Sequence, residues 1–346
     1  TFHGLSYVID IYYKRIKAET NFIDYSLFVS YFPLLVAGPI ERATHLLPQV
    51  KVKREFNFQK AKEGIHQIIW GLVKKVVIAD SCAMYANEVF NNHEQMNSLS
   101  LVLGPIYFAF QTYGDFSGYS DIALGTSKLF GIDLLKNFNF PYFSRDIAEF
   151  WRRWHISLSS WFRDYLYIPL GGSKGGKWMQ VRNTFIIFLV SGFWHGANWT
   201  FIAWGLINAI YFLPLLLLNR NRSNLEDITF KWNVQGLQTL LHILLTFSIT
   251  TFAWIFFRAK SISDALLYIK KMFTNLNFDI QYLSNERYAP ELLALIGVFV
   301  LFEWFHKYKT EPISGKYENV KLLFCIMAIL ALGVFSDYKE FIYFQF

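Results

Sequence analysis

An uncharged stretch at residues 183–219 constrains this chain more than any other feature. Its 37 residues contain no Asp, Glu, Lys or Arg, and a helix needs about 20 mainly apolar residues to cross a bilayer. The stretch is therefore long enough for two spans, with a tight turn expected near Asn198. We predict a helical hairpin there, because backbone polar groups inside lipid must be satisfied within a helix.

Other apolar segments indicate that the chain crosses the membrane several times. Charged residues make up 17% of the sequence and apolar residues 53%, whereas a soluble domain usually carries about 25% charge. Further spans are predicted at 95–114, 232–257, 292–302 and 322–336, the third being short unless it extends through Glu303 and Trp304. The sequence thus predicts an all-α, polytopic integral membrane protein.

Three shorter segments fit positions near the membrane surface. Residues 25–40 contain two prolines and predict a short broken or re-entrant helix. Residues 64–79 predict an interfacial helix or a marginal span, and the C-terminal FIYFQF predicts an interfacial aromatic anchor.

Basic residues, which give a formal charge of +7, concentrate in segments 42–62, 145–182 and 220–231. The positive-inside rule places these segments in the cytoplasm. The predicted hairpin puts the second and third on one side, and the loop at 258–287 on the other. Because the cations alternate with apolar runs, they suit anionic lipid headgroups rather than nucleic acid.

A histidine lies inside the uncharged stretch, in the run SGFWHGANWTFIAWG at 191–205. Polar groups at membrane depth are costly and by default indicate function. Gly192 and Gly196 flank His195 and would let a ligand or another backbone approach closely. The alternative is a structural histidine bonded to a neighbouring helix. The polar residue Asn198 follows, and three tryptophans are candidates to line an apolar channel: Trp194, Trp199 and Trp204.

A second histidine, His155, lies in FWRRWHISLSSWFRDYLYIPLGG at 150–172. Phe150, Trp154, Leu158 and Trp161 recur at helical spacing, which predicts one apolar stripe along one amphipathic helix. His155 lies beside this stripe, and Trp151 stands one turn before it. The glycine-rich GGSKGG that follows is a flexible basic loop without the spacing of a P-loop.

Charged residues accompany this helix. Arg152, Arg153 and Arg163 lie on it or near it, with Asp164 adjacent. The arginines are candidates to bind the phosphates of a coenzyme or of an acyl-carrier prosthetic group. The alternative is that they extend to lipid headgroups from an interfacial helix.

Two carboxylates lie in DFSGYSDIALG at 115–125, directly after a predicted span. Asp115 and Asp121 are six positions apart, so they do not share a helical face. Together with Tyr119 they are candidates to orient a histidine or a substrate hydroxyl. Helix capping is the alternative.

The residues favour base-assisted transfer over a covalent intermediate. Neutral histidine is the natural general base near neutral pH. The sequence has no GxSxG nucleophile elbow. Cys82 and Cys325 stand alone in apolar surroundings, so we expect buried thiols and no metal site. If His155 and His195 share one site, a hydroxyl activated by histidine would attack an acyl thioester directly.

Together these motifs resemble the membrane-bound O-acyltransferase superfamily, in particular its alginate O-acetylation branch. Besides the runs quoted above, the resemblance rests on TFHGLSYVIDIYYK at 1–14, LVAGPIERATHLLPQ at 35–49 and FAWIFFRA at 252–259. It is dense up to about residue 204. The family's essential histidine matches His195, and its second signature histidine matches His155.

The resemblance implies a fold and an activity. The fold is a ring of tilted transmembrane helices around a central pore, here one domain over 1–346 with an amphipathic or re-entrant catalytic segment at 140–182. Family members begin with further apolar helices, so we expect this chain, which opens at Thr1, to be N-terminally truncated. The implied donor is cytoplasmic acetyl-CoA, with no permanently bound cofactor, and the implied location is the cytoplasmic membrane.

The resemblance also implies partners and leaves alternatives. The acceptor is an exported polysaccharide, reached directly or through an extracytoplasmic SGNH-type acetyltransferase. A D-alanyl-transferring member with a carrier thioester donor is one alternative. An ion- or proton-coupled transporter would also carry intramembrane histidines and broken helices, and a scaffold that recruits the outer transferase would tolerate loss of His195.

Overall fold

Helices and connecting loops make up all of the chain that the structure, a computed structural model, describes; there is no β-strand in that part. The described residues exclude 1, 229–232, 280, 282–288, 308, 310–311 and 336–346. The α-helices are α1 (Phe2–Tyr12), α2 (Phe22–Val29), α3 (Ala43–Lys51), α4 (Phe58–Leu72), α5 (Asp80–Asn91), α6 (Ser98–Leu129), α7 (Ile147–Arg153), α8 (Ile156–Phe162), α9 (Lys177–His195), α10 (Trp199–Leu217), α11 (Val234–Arg258), α12 (Ile262–Thr274), α13 (Ala289–His306) and α14 (Glu318–Leu332).

Helices α4 and α6 touch backbone to backbone through glycines. A Cβ added at Gly71 would lie 2.6 Å from the carbonyl oxygen of Gly118, and one added at Gly64 would lie 2.5 Å from that of Gly125. Any side chain at these positions would force the helices apart. The glycines therefore let α4 and α6 pack closely, as small residues do in membrane interiors.

The predicted helical hairpin is confirmed, whereas the prediction that both of its helices cross the membrane stays a prediction, since of the two only α10 is a candidate span. α9 and α10 are joined at Asn198, whose side-chain oxygen accepts a hydrogen bond from the backbone nitrogen of Thr200 at 3.1 Å and so caps α10. A Cβ at Gly192 would collide with the carbonyl of Phe201. The backbone that approaches Gly192 is thus that of α10, which is one of the two possibilities that the glycine predicted.

Two described helices are long and apolar enough to cross a membrane, α10 and α11, with mean hydropathies of 1.8 and 1.9. α11 matches the predicted span at 232–257, and α13 extends through Glu303 and Trp304 as its length required. α14 is shorter than predicted and ends at Leu332. The predicted anchor at the C-terminus lies outside the described residues.

The predicted end of the span at 95–114 is wrong. α6 continues as a 32-residue helix through the DFSGYSDIALG run to Leu129. Asp115 and Asp121 do not end it, because each pairs with a lysine of the neighbouring helical turn: Lys75 Nζ lies 2.7 Å from Asp115 Oδ1, and Lys74 Nζ 2.5 Å from Asp121 Oδ2.

The two segments predicted near the membrane surface are also helical. In segment 25–40, α2 ends at Val29 and a 3₁₀ turn follows at Phe32–Leu34, so the short broken helix is confirmed. In segment 64–79, α4 runs on as a π-helical turn, Val73–Ala79, into α5. Both cysteines, Cys82 and Cys325, are buried and free.

The connections sort to two ends of the bundle. Arg152 donates hydrogen bonds to the carbonyls of Asn221 and Asn224 at 2.7 and 2.9 Å, so the basic segments 145–182 and 220–231 meet at one end. At the other end, the side chain of Asn198 donates to the carbonyl of Lys260 at 2.9 Å. The two basic segments share a side as predicted; their cytoplasmic location stays a prediction.

Candidate active site

A cavity of about 530 Å³ lies between α7, α8, α9, α10 and α11. Five residues of α9 line its wall, and their spacing places them on one face of that helix: Thr184, Ile187, Phe188, Ser191 and His195. At 1.5 Å per residue, this face extends for about 16 Å. The cavity is therefore elongated and runs along α9, with His195 at one end.

The two ends of the cavity differ in chemistry. Near the connection between α10 and α11, the wall holds Arg222 and Asn221, with Arg163 and Tyr167 from the segment after α8. Around His195, the wall is aromatic. That end is formed by Trp154, Trp204, Trp254 and Phe257. A polar, basic mouth thus leads to an apolar interior that contains the imidazole.

His155 enters the same cavity from a break between two helices. The prediction of one amphipathic helix over 150–162 is wrong, because α7 ends at Arg153 and α8 begins at Ile156. His155 stands between them in the left-handed conformation, with φ 44° and ψ 54°, which side chains other than glycine rarely adopt. The break redirects the chain and leaves the His155 ring buried, edge-on to Phe116 at 4.6 Å.

The structure brings the two predicted histidines together, since both line this cavity. The indole of Trp194 lies next to each of them, with ring centroids 4.8 Å from His195 and 6.0 Å from His155. His195 also packs against Phe257 at 4.9 Å and Trp204 at 5.3 Å. Two imidazoles therefore share an aromatic, water-poor environment.

Three of the predicted tryptophans line the cavity, and two do not. Trp151, Trp154 and Trp204 form part of its wall. Trp194 contacts the histidines without belonging to that wall, and Trp199 is 73% exposed. Trp194 lies in the last turn of α9 and Trp199 at the start of α10, so both flank the hairpin turn and, contrary to the prediction, neither is part of the cavity wall. Asn198 caps this turn.

The predicted arginines differ in whether they line the cavity and in how many of their nitrogens already make hydrogen bonds. Arg153 donates to the buried carboxylate of Glu149 at 2.8 Å and is absent from the cavity wall, so its predicted contact with a phosphate stays a prediction. Arg152 lines the cavity, but both of its terminal nitrogens are bonded to the carbonyls that hold the connection after α10. Arg163 lines the mouth and uses its Nε on Asp164 at 2.8 Å.

One basic residue of the mouth was missed by sequence reasoning. Arg222 lines the cavity and has no hydrogen-bond or ion-pair partner among the residues that the structure describes. From the sequence, its segment, 220–231, predicts only the orientation of the chain in the membrane. The signal that could have found it is its distance from the hairpin turn, because a hairpin places the residues after α10 beside the start of α9.

The predicted acidic pair has structural partners. Besides its lysine, Asp121 accepts a hydrogen bond from Gln67 at 3.0 Å. Asp121 and Lys74 line a second, smaller cavity of about 70 Å³, together with Tyr113 and Glu303. Ion pairs with lysines thus explain why both aspartates can lie inside the helix bundle. A further role in orienting a histidine stays a prediction. No group of three or more His, Cys, Asp or Glu side chains within the described ranges could hold a metal ion.

Tyr119 stands apart from both cavities. Its hydroxyl donates to the carbonyl of Pro33 at 3.5 Å, and it is not in the wall of the large cavity. It joins α6 to the 3₁₀ turn of the broken helix. The structure therefore gives it a packing role, and its predicted contact with substrate stays a prediction.

Residues 12–256 match the sequence model of the membrane-bound O-acyltransferase family. The chain belongs to this family. It is 41% identical over 276 residues to the peptidoglycan O-acetyltransferase of Helicobacter pylori, which covers 79% of this chain and 50% of that protein. It is 39% identical over 319 residues to the probable alginate O-acetylase AlgI of Pseudomonas aeruginosa, which covers 91% of this chain and 59% of that protein.

The chain is also similar, at lower identity, to a relative with a different name. The chain is 28% identical over 279 residues to the teichoic acid D-alanyltransferase of Bacillus subtilis, covering 75% of this chain and 67% of that protein. The chain spans 50% and 59% of the length of the two O-acetylating relatives. Membership of this family agrees with the apolar helices of the chain.

Proposed function

We propose that this protein transfers an acetyl group from a cytoplasmic thioester, acetyl-CoA, toward a hydroxyl group of an exported polysaccharide. The observation that carries the proposal is the pair of imidazoles, His155 and His195, in one apolar cavity that opens at a basic mouth. Acetyl-CoA matches this arrangement, because its phosphates would lie at the basic mouth while its flexible arm carries the thioester to the histidines in the apolar interior. The O-acetylating relatives, at 39% and 41% identity, favour acetyl over D-alanyl.

The proposed reaction needs one general base, which takes a proton from the acceptor hydroxyl and then gives it to the leaving thiolate. His195 takes the proton from the acceptor hydroxyl as its oxygen attacks the thioester carbonyl. The carbon–sulfur bond then breaks, and the proton passes from the imidazolium to the departing thiolate, so the enzyme is restored. His155 supports the charge that develops on the carbonyl oxygen. Neither step requires a covalent acyl-enzyme.

The mouth and the walls divide the work of binding. Arg222 and Arg163 hold the donor phosphates in this proposal, which is supported by their position in the wall at the basic end of the cavity. The aromatic wall around His195 excludes water, which protects the thioester from hydrolysis. In this proposal the protein crosses the membrane several times, and the basic end of the helix bundle faces the cytoplasm. The tilted helices form a ring around the pore.

The acceptor side involves a second protein in our proposal. An extracytoplasmic SGNH-type acetyltransferase receives the acetyl group and completes transfer to the glycan. The test is to incubate membranes that contain this protein with acetyl-CoA labelled in the acetyl group, with and without the glycan and the partner. Label on the partner or the glycan supports the proposal.

Other outcomes would support other classes. Proton or ion flux without any consumption of thioester would identify a transporter and overturn the enzyme. Label transferred equally well by His195→Ala membranes would identify a scaffold. Transfer from a D-alanyl carrier thioester, but not from acetyl-CoA, would correct the donor.

A further inference from the structure

The backbone on both sides of His155 is held by a neighbouring loop. The nitrogen of Ile156 donates to the carbonyl of Asn137 at 2.9 Å, and the nitrogen of Asn139 donates to the carbonyl of Arg153 at 3.0 Å. Residues 137–139 thus bracket the break between α7 and α8. Such bonds are needed there, because a left-handed residue other than glycine persists only where its surroundings fix it.

Side chains extend this bracket into a buried chain of hydrogen bonds. Ser157 Oγ accepts from the nitrogen of Ile40 at 2.9 Å and donates to Asn137 Oδ1 at 2.5 Å. Asn137 Nδ2 in turn donates to Ser120 Oγ at 3.1 Å. Asn137 and Ser157 are each 1% exposed and Ser120 is 3% exposed. These hydrogen bonds therefore link α6, α8 and the 35–49 motif beside His155, which holds the left-handed conformation.

None of these polar groups reaches the donor. Asn137, Ser157 and Ser120 are absent from the wall of the large cavity, whereas His155 belongs to it. Asn137 and Ser120 line the smaller cavity instead, so within the large cavity these groups act through the position of the His155 ring. Buried polar groups of this kind are costly unless each is satisfied, and here each one has a partner.

We propose that Asn137 and Ser157 are positioning residues that fix the imidazole of His155 in the cavity. The inference rests on the proposed function, because it assumes that His155 takes part in acyl transfer. It also gives a role to the run GPIER at 38–42, whose Ile40 nitrogen begins the chain. A displacement of a reacting group by about 1 Å can cost about 100-fold in rate.

The experiment compares variants purified in detergent and reconstituted with acetyl-CoA and the acceptor partner. Ser157→Ala removes the central hydroxyl, and its kcat per folded molecule should fall about 10- to 100-fold while the KM for the donor changes less than about twofold. Ser157→Thr keeps the hydroxyl and should recover most of the rate. Ser160→Ala is the matched control on the same helix, since Ser160 Oγ donates to the carbonyl of Ser157 and, among the described residues, makes no other side-chain hydrogen bond.

A merely structural role gives a different result. It would lower the temperature of unfolding of Ser157→Ala and leave kcat per folded molecule unchanged, which would overturn the proposal. If Ser157→Ala does not fold, Ser120→Ala makes the same test two hydrogen bonds away from Ser157, with an expected fall in kcat of a few-fold. Failure of the proposed function is distinguishable, because the wild-type protein would then transfer no label.

Discussion

His155 and His195 reach one cavity from different parts of the chain, and the indole of Trp194 lies against both rings, at 6.0 and 4.8 Å between centroids. His195 ends α9, where the helix gives way to the hairpin turn. His155 stands in the break between α7 and α8. Each imidazole is thus placed by an interruption of a helix, which is where a backbone can present a polar side chain inside an apolar bundle.

Loss of the His195 imidazole should nearly abolish transfer. We expect His195→Ala to lower the rate of label transfer from acetyl-CoA by about 100- to 10,000-fold, because general base catalysis contributes that much. His242→Ala is the matched control, since His242 is an exposed histidine of α11. Membrane insertion of both variants is checked by fractionation. Unchanged acetylation by His195→Ala would remove the base from the proposal.

His155 should matter through its ring rather than its backbone. His155→Asn keeps a residue that tolerates the left-handed conformation and removes the imidazole. We expect about a 10- to 1,000-fold loss of kcat, no larger than that of His195→Ala, with the unfolding temperature close to the wild-type value. A variant that unfolds early but retains kcat per folded molecule would show that His155 is structural.

Arg222 should act on donor binding alone. Arg222→Ala removes a cation from the cavity mouth, and we expect the KM for acetyl-CoA to rise about tenfold, with kcat unchanged, since about 1.4 kcal/mol corresponds to a factor of ten. Arg220→Ala is the control, because Arg220 is exposed in the same connection and lies outside the cavity wall. Steady-state kinetics with varied donor concentration make the measurement. An unchanged KM would place the donor phosphates elsewhere.

The sequence predicts those features that local physics decides. The absence of charge over 183–219 is enough to predict α9, α10 and the turn at Asn198, because lipid tolerates little else. A histidine in such a stretch predicts a polar site on the same grounds. The two histidines were expected in one cavity only as a condition of the chemistry and through the resemblance, and the structure meets that condition.

Features decided by distant contacts escaped prediction. The apolar spacing of Phe150, Trp154 and Trp161 fits one helix, yet the helix breaks at His155 because bonds from Asn137 and Asn139, on another loop, favour the break. α6 outruns its predicted end because lysines from the π-helical turn neutralise its aspartates. The spacing of residues within one segment cannot predict these contacts, because the partners come from other parts of the chain.

The glycine contact between α4 and α6 should be sensitive to a single methyl group. Gly118→Ala places a Cβ 2.8 Å from the carbonyl oxygen of Gly71, so we expect a loss of about 1–3 kcal/mol from overpacking. Gly297→Ala is the control, because a Cβ there meets nothing within 4 Å and alanine favours a helix. Thermal unfolding in detergent compares the two. Equal midpoints would show that the helices separate without cost.

The pair of His45 and Glu41 should make stability depend on pH. α3 is too short to span a bilayer, and there His45 Nδ1 lies 2.7 Å from the buried Glu41 Oε2, a hydrogen bond that raises the pKa of His45 above 6.5. A histidine with a raised pKa stabilises the folded state fully below its unfolded pKa, and this contribution is lost as pH rises through the folded value. We therefore expect the unfolding temperature of the wild-type protein to exceed that of His45→Gln at about pH 6, and the difference to shrink toward about pH 9. Comparing the two proteins at each pH cancels the other titrating groups, and a difference that grew with pH would contradict the assignment.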